Sequence, residues 1–279
     1  MEWQDNMKWE AEDVYLNGKS DFFRAYQGED LLWEESNSVS SERYLVMEKA
    51  KDFTSIVKIT YITDGDLSPV FYYSKDGVNF TRWDYSEITL TNKGEKVYFY
   101  GVNNSAVSNY YSHFSIDDRN LGSVKIYGNL KALNHIDIPY LEYNYEFYFL
   151  FYRCIGIFDC RELVLPYGSK TSAFSKMFYH CDNLNYAPII PKMDMSDNDM
   201  YHGMFEYCDN IREITCLTYS PSYKACENWL WNSRYNYLVD EVRKGNLPNE
   251  NSPTFIKRKG VYWYTGYDGI PPYFNVIEK

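Results

Sequence analysis

Basic residues, histidines, long apolar runs and paired cysteines are all scarce in this chain, and each shortage narrows what it can be. Lys and Arg total 28 against 39 Asp and Glu, a net charge of −11. A chain with that balance and no basic stripe repels phosphate backbones, so nucleic acid is not an expected partner. The longest apolar-aromatic run, Phe147–Tyr152, is far shorter than the roughly 20 residues a helix needs to cross a bilayer, so no membrane insertion is expected. Met1-Glu2-Trp3-Gln4-Asp5-Asn6 offers neither the basic nor the apolar segment of a secretory signal, which points to folding in a cytoplasm. The four histidines (113, 135, 180, 202) have no ligand spacing to one another. The six cysteines (154, 160, 181, 208, 216, 226) include no C-x-x-C pair, which excludes zinc-ribbon and thioredoxin-like sites. No metal, cofactor or disulfide framework is expected. Catalysis is not expected either, because Asp117-Asp118 and the group Asp194, Asp197 and Asp199 read as turn and loop residues rather than the facing carboxylates of a glycan hydrolase.

Aromatics are abundant instead: 19% of the chain, with 30 tyrosines. Tyrosine combines a large contact area with a polar hydroxyl, which suits wet interfaces and sugar- or protein-binding surfaces, although it can also stand in for Leu in a thin-cored fold.

The dominant pattern is a repeat. Phe151, Phe178 and Phe205 lie 27 residues apart, as do Cys154, Cys181 and Cys208; Leu150, Met177 and Met204; and Phe147, Phe174 and Tyr201. Ile157, Leu184 and Ile211 continue the interval. A period of this length predicts a stacked solenoid. Within each copy the columns fall at i, i+3, i+4 and i+7, which predicts an amphipathic α-helix. The cysteine column then reads as small buried hydrophobes. Extended segments at Glu162–Pro166, Tyr186–Pro191 and Glu213–Leu217 follow, so each unit is expected to be a helix, a tight turn, a strand and a return loop.

Residues 1–34 read as a β module, with a strand at Val14-Tyr15-Leu16, a turn at Asn17-Gly18 and a hairpin of Phe22–Tyr26 and Leu31–Trp33 around Gln27-Gly28-Glu29-Asp30. A Ser-rich linker spans 35–42. Residues 43–126 alternate short strands with turns, which predicts a β-sandwich-like domain. Its candidate strands are Tyr44–Met47, Ser55–Tyr61, Val70–Ser74, Val78–Trp83, Lys96–Gly101 and Val124–Tyr127. Residues 127–217 form the repeat solenoid and 218–279 a C-terminal cap, with helical character over Ser222–Lys244. The fold class is therefore α+β. Ser74-Lys75-Asp76-Gly77-Val78-Asn79-Phe80 resembles the Asp-box turn of sialidases but is one residue shorter, and it reads as a folding element.

Two resemblances add to this. Met177-Phe178-x-x-Cys181-x-x-Leu184, Met204-Phe205-x-x-Cys208-x-x-Ile211 and Pro188-Ile189-Ile190-Pro191 are similar to the BspA-type leucine-rich repeat of gut bacteria and their phages. Asn228-Trp229-Leu230, Thr254–Lys257 and Gly269–Val276 are similar to that family's closing segment, although Tyr273-Phe274 stand where a Gly-Trp pair is usual. Val14–Gly18 with Arg24–Glu34 resembles a short module that opens minor structural proteins of tailed phages. Together these imply a virion appendage, such as a fibre, decoration or tail component, that docks to other virion proteins through its N-terminal module. The appendage would present a surface to a host glycan or protein, and it is expected to be a homo-oligomer. The repeat family equally implies a bacterial cell-surface adhesin. The binding surface is expected on the exposed strand face, where Asn185, Tyr186, Arg212, Glu213 and Thr215 would alternate outward, or on β-domain loops carrying Tyr110, Tyr111 and His113.

Overall fold

In a computed structural model the described residues are 7–12, 22–27, 30–34 and 43–279, less 64, 66, 67, 120, 135–137, 196–198 and 233. Residues 1–42 and 43–279 are separate units. In the first, β1 (Met7–Glu12), β2 (Phe22–Gln27) and β3 (Asp30–Glu34) form an antiparallel sheet in that order. The expected hairpin is there, closing at Gln27↔Asp30. β1 was not foreseen, and the proposed strand 14–16, its Asn17-Gly18 turn and the 35–42 linker lie outside the described residues.

Alternating apolar residues build the first part of the second unit. Its strands are β4 (Leu45–Lys49), β5 (Val57–Ile62), β6 (Phe71–Ser74), β7 (Thr81–Arg82), β8 (Ile88–Leu90), β9 (Lys96–Gly101), β10 (His113–Asp117) and β11 (Val124–Asn129). β10, β5 and β8 form one sheet, while β11, β4, β9, β6 and β7 lie in that order in another. β5 buries Val57, Ile59 and Tyr61 and turns Lys58 and Ile62 outward, the period of two that a half-buried strand requires. Phe71, Trp83, Phe99 and Phe114 join Tyr61 in the same core. Of the expected strand 78–83 only Thr81–Arg82 pairs, and β8 and β10 had no clear sequence signal. The Asp-box-like stretch is a local turn. Asp76 Oδ1 accepts the Val78 and Asn79 amides at 2.9 and 2.8 Å, and Ser74 Oγ accepts that of Gly77 at 3.0 Å.

β11 runs across the boundary placed at 126/127. It pairs antiparallel with β4 and parallel with β12 (Ile157–Asp159) and β13 (Leu163–Val164), so one sheet passes from the β segment into the repeats. At the other end β14 (Glu213–Cys216), β15 (Thr254–Lys257) and β16 (Asn275–Glu278) form a parallel sheet. The second unit is mostly β. Among the described residues its only α-helix is α1 (Tyr235–Arg243), which has no fully buried residue.

The three expected repeat helices are not α-helices. Each is a ribbon of tight turns with a left-handed residue at every fourth position: Tyr145, Phe149 and Arg153; Ser172, Lys176 and His180; Asp199, Gly203 and Tyr207. An α-helix cannot accommodate these, because each L residue held left-handed costs about 1–2 kcal/mol and breaks the i→i−4 series. The amides divide into two sets. In the middle copy Ser175, Met177, Tyr179 and Cys181 donate three residues back, to the carbonyls of Ser172, Phe174, Lys176 and Phe178. The intervening Phe174, Lys176, Phe178 and His180 donate across to Met200, His202, Met204 and Glu206 of the following copy. The first copy bonds to the second in the same way, with Phe147, Phe149 and Phe151 donating to Ala173, Ser175 and Met177. A four-residue repeat buries the i, i+3, i+4, i+7 set as a 3.6-residue helix does, and over eight residues the two periods differ by less than one residue.

The 27-residue spacing appears as stacked rings. Phe147, Phe174 and Tyr201 stack at 5.9 and 5.4 Å, each pair within 10° of parallel. Phe114, Phe151, Phe178 and Phe205 form a second column at 5.8, 5.3 and 5.8 Å. Each fully buried ring contributes on the order of 1.5–3 kcal/mol. The cysteine column is buried as expected and has a further use. The thiols of Cys154, Cys181 and Cys208 donate to the carbonyls of Phe114, Phe151 and Phe178 at 3.1, 3.1 and 3.0 Å, bonding each copy to the element before it. All six cysteines are free and buried.

A fourth ribbon replaces the N-terminal part of the helix expected over 222–244. Tyr201, Gly203, Phe205 and Tyr207 donate to Ala225, Glu227, Trp229 and Trp231, and Asn228 takes the left-handed place of Gly203. Cys226, Trp229 and Leu230 are its buried i, i+3, i+4 set. The offset from Gly203 to Asn228 is 25 rather than 27, so a search at the fixed period passes over it. At the opposite end, the Glu146 and Leu150 carbonyls accept from the amides of Val107 and Phe114. Lys131, fully buried, binds the fully buried Glu146 at 2.7 Å and Glu142 at 2.9 Å.

Candidate functional site

The sequence-nominated residues fall into two groups. The first lies beside the parallel bridges Asp159↔Tyr186 and Tyr186↔Glu213, which hold the outward side chains in rows. Arg212 Nε donates to Asn185 Oδ1 at 2.9 Å. Arg161 grips Asp159 through Nη2–Oδ2 at 2.7 Å and Nε–Oδ1 at 3.1 Å, and its guanidinium lies 3.9 Å over the Tyr186 ring. The Asp159 carboxylate raises the Arg161 pKa, so this cation is fixed at all working pH values. In β14 Glu213 and Thr215 are half-buried while Ile214 and Cys216 point inward, the alternation expected of them. Lys51 Nζ sits 3.9 Å over Phe158, and desolvation by burial lowers its pKa. This group presents bidentate and stacked donors on a rigid sheet.

The second group lies along the turn ribbons. Tyr110 and Tyr111 are 48% and 62% exposed and meet edge to face at 5.0 Å. Tyr110 continues onto Phe149 and Tyr152, both at 5.3 Å. The line then runs from Tyr152 to Tyr179 at 5.5 Å and on to Tyr207 at 5.4 Å, with His180 stacked on Tyr207 at 4.5 Å. Lys176 lies 5.0 Å over Tyr179, Arg153 lies 5.6 Å over Tyr152, and Asp182 faces His180 at 3.2 Å. Partial burial, with Glu206 adding, pushes the Tyr179 phenol up to about 12. Burial and the Tyr110 hydrogen bond raise that of Tyr152, so both remain neutral donors at neutral pH. Burial also raises the Glu206 carboxyl, against Lys176, His202 and His180. His113 does not belong on an exposed loop. It is buried in β10, its pKa lowered by desolvation, with its ring 5.3 Å from Tyr152.

The sequence pointed to Tyr110 and Tyr111 but not to the rest of this line. Tyr152, Tyr179 and Tyr207 do not share one column: Tyr152 and Tyr179 are 27 apart, whereas Tyr179 and Tyr207 are 28 apart. A column search at the fixed period therefore stops at Tyr179. No family model, curated protein or solved structure matches the chain. Among the described residues no helix is long and apolar enough to cross a membrane.

Proposed function

We propose that the chain is a non-enzymatic interaction protein: a short, capped leucine-rich-repeat solenoid that serves as a virion appendage of a tailed phage and presents its aromatic line to host-surface material. The observation that carries this reading is the continuous series Tyr111, Tyr110, Tyr152, Tyr179 and Tyr207, rimmed by Arg153, Lys176 and Glu206. Aromatic side chains with Arg and polar neighbours are what protein and glycan interfaces are enriched in. The rings are set by hydrogen-bonded ribbons, so little side-chain freedom remains to be lost on binding. The N-terminal module would dock to other virion proteins.

Two measurements test the proposal. Mass spectrometry of purified particles should find the protein; its absence from every particle preparation would remove the virion assignment and favour a cell-surface adhesin. Binding to host cell envelopes should fall at least tenfold in Tyr110→Ala/Tyr111→Ala, two exposed positions whose loss leaves the core intact. Unchanged binding would move the surface to the Arg161–Tyr186 group.

A further inference from the structure

We propose that Asp199, His202 and Glu227 form a divalent-cation site that ties the third turn ribbon to the fourth. Each residue offers one ligand atom, and the three atoms lie within 4.8 Å of one another. Their backbones are already fixed. Asp199 is a left-handed residue at φ +60°, and its carbonyl accepts the His202 amide at 3.1 Å. The His202 carbonyl accepts from Ser175 Oγ at 3.0 Å and the Lys176 amide at 2.8 Å. Glu227 comes from the neighbouring ribbon, held there by its carbonyl's bond from the Gly203 amide at 2.9 Å.

A separate observation points the same way. His202 Nδ1 is buried and has no hydrogen-bond partner among the described residues. Buried polar atoms are normally satisfied, and each exception calls for a reason. Among the described residues no hydrogen bond holds the ring through that nitrogen.

The donor set defines the ligand class. One imidazole and two carboxylates suit a divalent first-row cation, borderline Zn²⁺ or harder Mn²⁺, better than a thiol-seeking ion, and the two carboxylates match its charge. Zn²⁺ bonds of about 2.0–2.2 Å require the three side chains to close in by no more than about 1 Å. Three protein ligands leave a coordination position for water or for an acidic group of a partner. The site falls where the copy offset changes from 27 to 25, the one junction at which the side-chain columns lose their strict register. Residue spacing does not reveal it, because only one histidine takes part and the carboxylates come from two copies.

Isothermal titration of the tag-free, EDTA-treated full chain with ZnCl₂, and in parallel with MnCl₂, tests the site. One equivalent should bind, and the melting temperature should rise with added ion. Affinity should fall at least tenfold in His202→Ala and, independently, in the exposed Glu227→Gln, while His180→Ala binds as the parent does. Cobalt substitution should give weak d–d bands without a thiolate charge-transfer band, which separates this site from the buried cysteines. Absence of saturable binding of either ion up to millimolar concentration by the folded chain overturns the proposal. So does equal affinity in the parent and both variants.

Discussion

Gly203→Ala distinguishes a turn ribbon from a helix by the sign of its effect. In an α-helix interior, replacing Gly by Ala stabilises by about 0.8–1.0 kcal/mol. Here Gly203 sits at φ +57°, where an L residue costs about 1–2 kcal/mol. The reduced freedom of the unfolded chain returns about 0.4–1 kcal/mol of that. The added Cβ would also stand 2.7 Å from Glu206 Oε2 and 3.2 Å from Lys176 Cγ; both belong to flexible side chains that can move aside for a few tenths of a kcal/mol. The net is a destabilisation of about 1 kcal/mol, or a melting temperature lower by roughly 2–4 °C for a chain of this size. Urea unfolding followed by circular dichroism measures it, with the m-value showing whether the denatured state has changed. Lys176→Gly, the equivalent position one copy earlier, should run the other way and be neutral or stabilising. A gain in stability on Gly203→Ala, or a loss of 1 kcal/mol or more on Lys176→Gly, would refute the ribbon.

The remaining predictions concern the core and its titratable groups. Phe178→Ala removes a fully buried ring stacked on both sides and should cost about 3–5 kcal/mol; a double-mutant cycle with Phe151→Ala should show a coupling of about 0.5–1.5 kcal/mol. Burial raises the pKa of all six thiols, so the folded chain keeps protons that the unfolded chain releases above pH ~8.5. Stability should therefore be unaffected by the thiols below that pH and fall above it, by about 1.4 kcal/mol per pH unit for each thiol. A urea midpoint unchanged from pH 8 to 10.5 would contradict this. None of the thiols should react with a thiol reagent at pH 8 before unfolding, and all six should react afterwards. Glu146→Ala strands the buried Lys131 ammonium beside Glu142 alone and should cost about 3–5 kcal/mol in the same denaturation assay.

The repeat columns were legible because burial acts on side chains, and side chains are what a sequence displays. Phe151, Phe178 and Phe205 were placed in the core by spacing alone, and their stacking follows from that spacing. Backbone conformation was not legible. Tyr145, Phe149, Arg153, Ser172, Lys176 and Tyr207 give no sign of a left-handed residue, and only His180, Asp199, Gly203 and Asn228 are types that favour it. Hydrogen bonding to neighbouring copies outweighs that local preference, so propensity pointed to a helix. For Trp229 the sequence predicts burial correctly but places it in a helix, since the fourth ribbon departs from the period by two residues. The aromatic line was visible only at Tyr110 and Tyr111; the remainder depends on which edges the ribbons turn outward.

The amides that cross between ribbons all point one way, from each copy to the next. The stack is thus electrically polar, a sparser counterpart of the helix dipole, with carbonyls facing the β segment before the repeats, where Val107 and Phe114 lie, and N–H groups facing the C-terminus. Val107 and Phe114 supply donors at the negative end. At the positive end Asp268 Oδ1 receives the Asn228 amide at 2.7 Å, and the Tyr267 carbonyl accepts the Leu230 amide at 3.5 Å. A copy could be inserted between these two ends without disturbing either, but an inverted one would set like poles together. The array can therefore grow in length while its terminal segments stay matched to opposite signs.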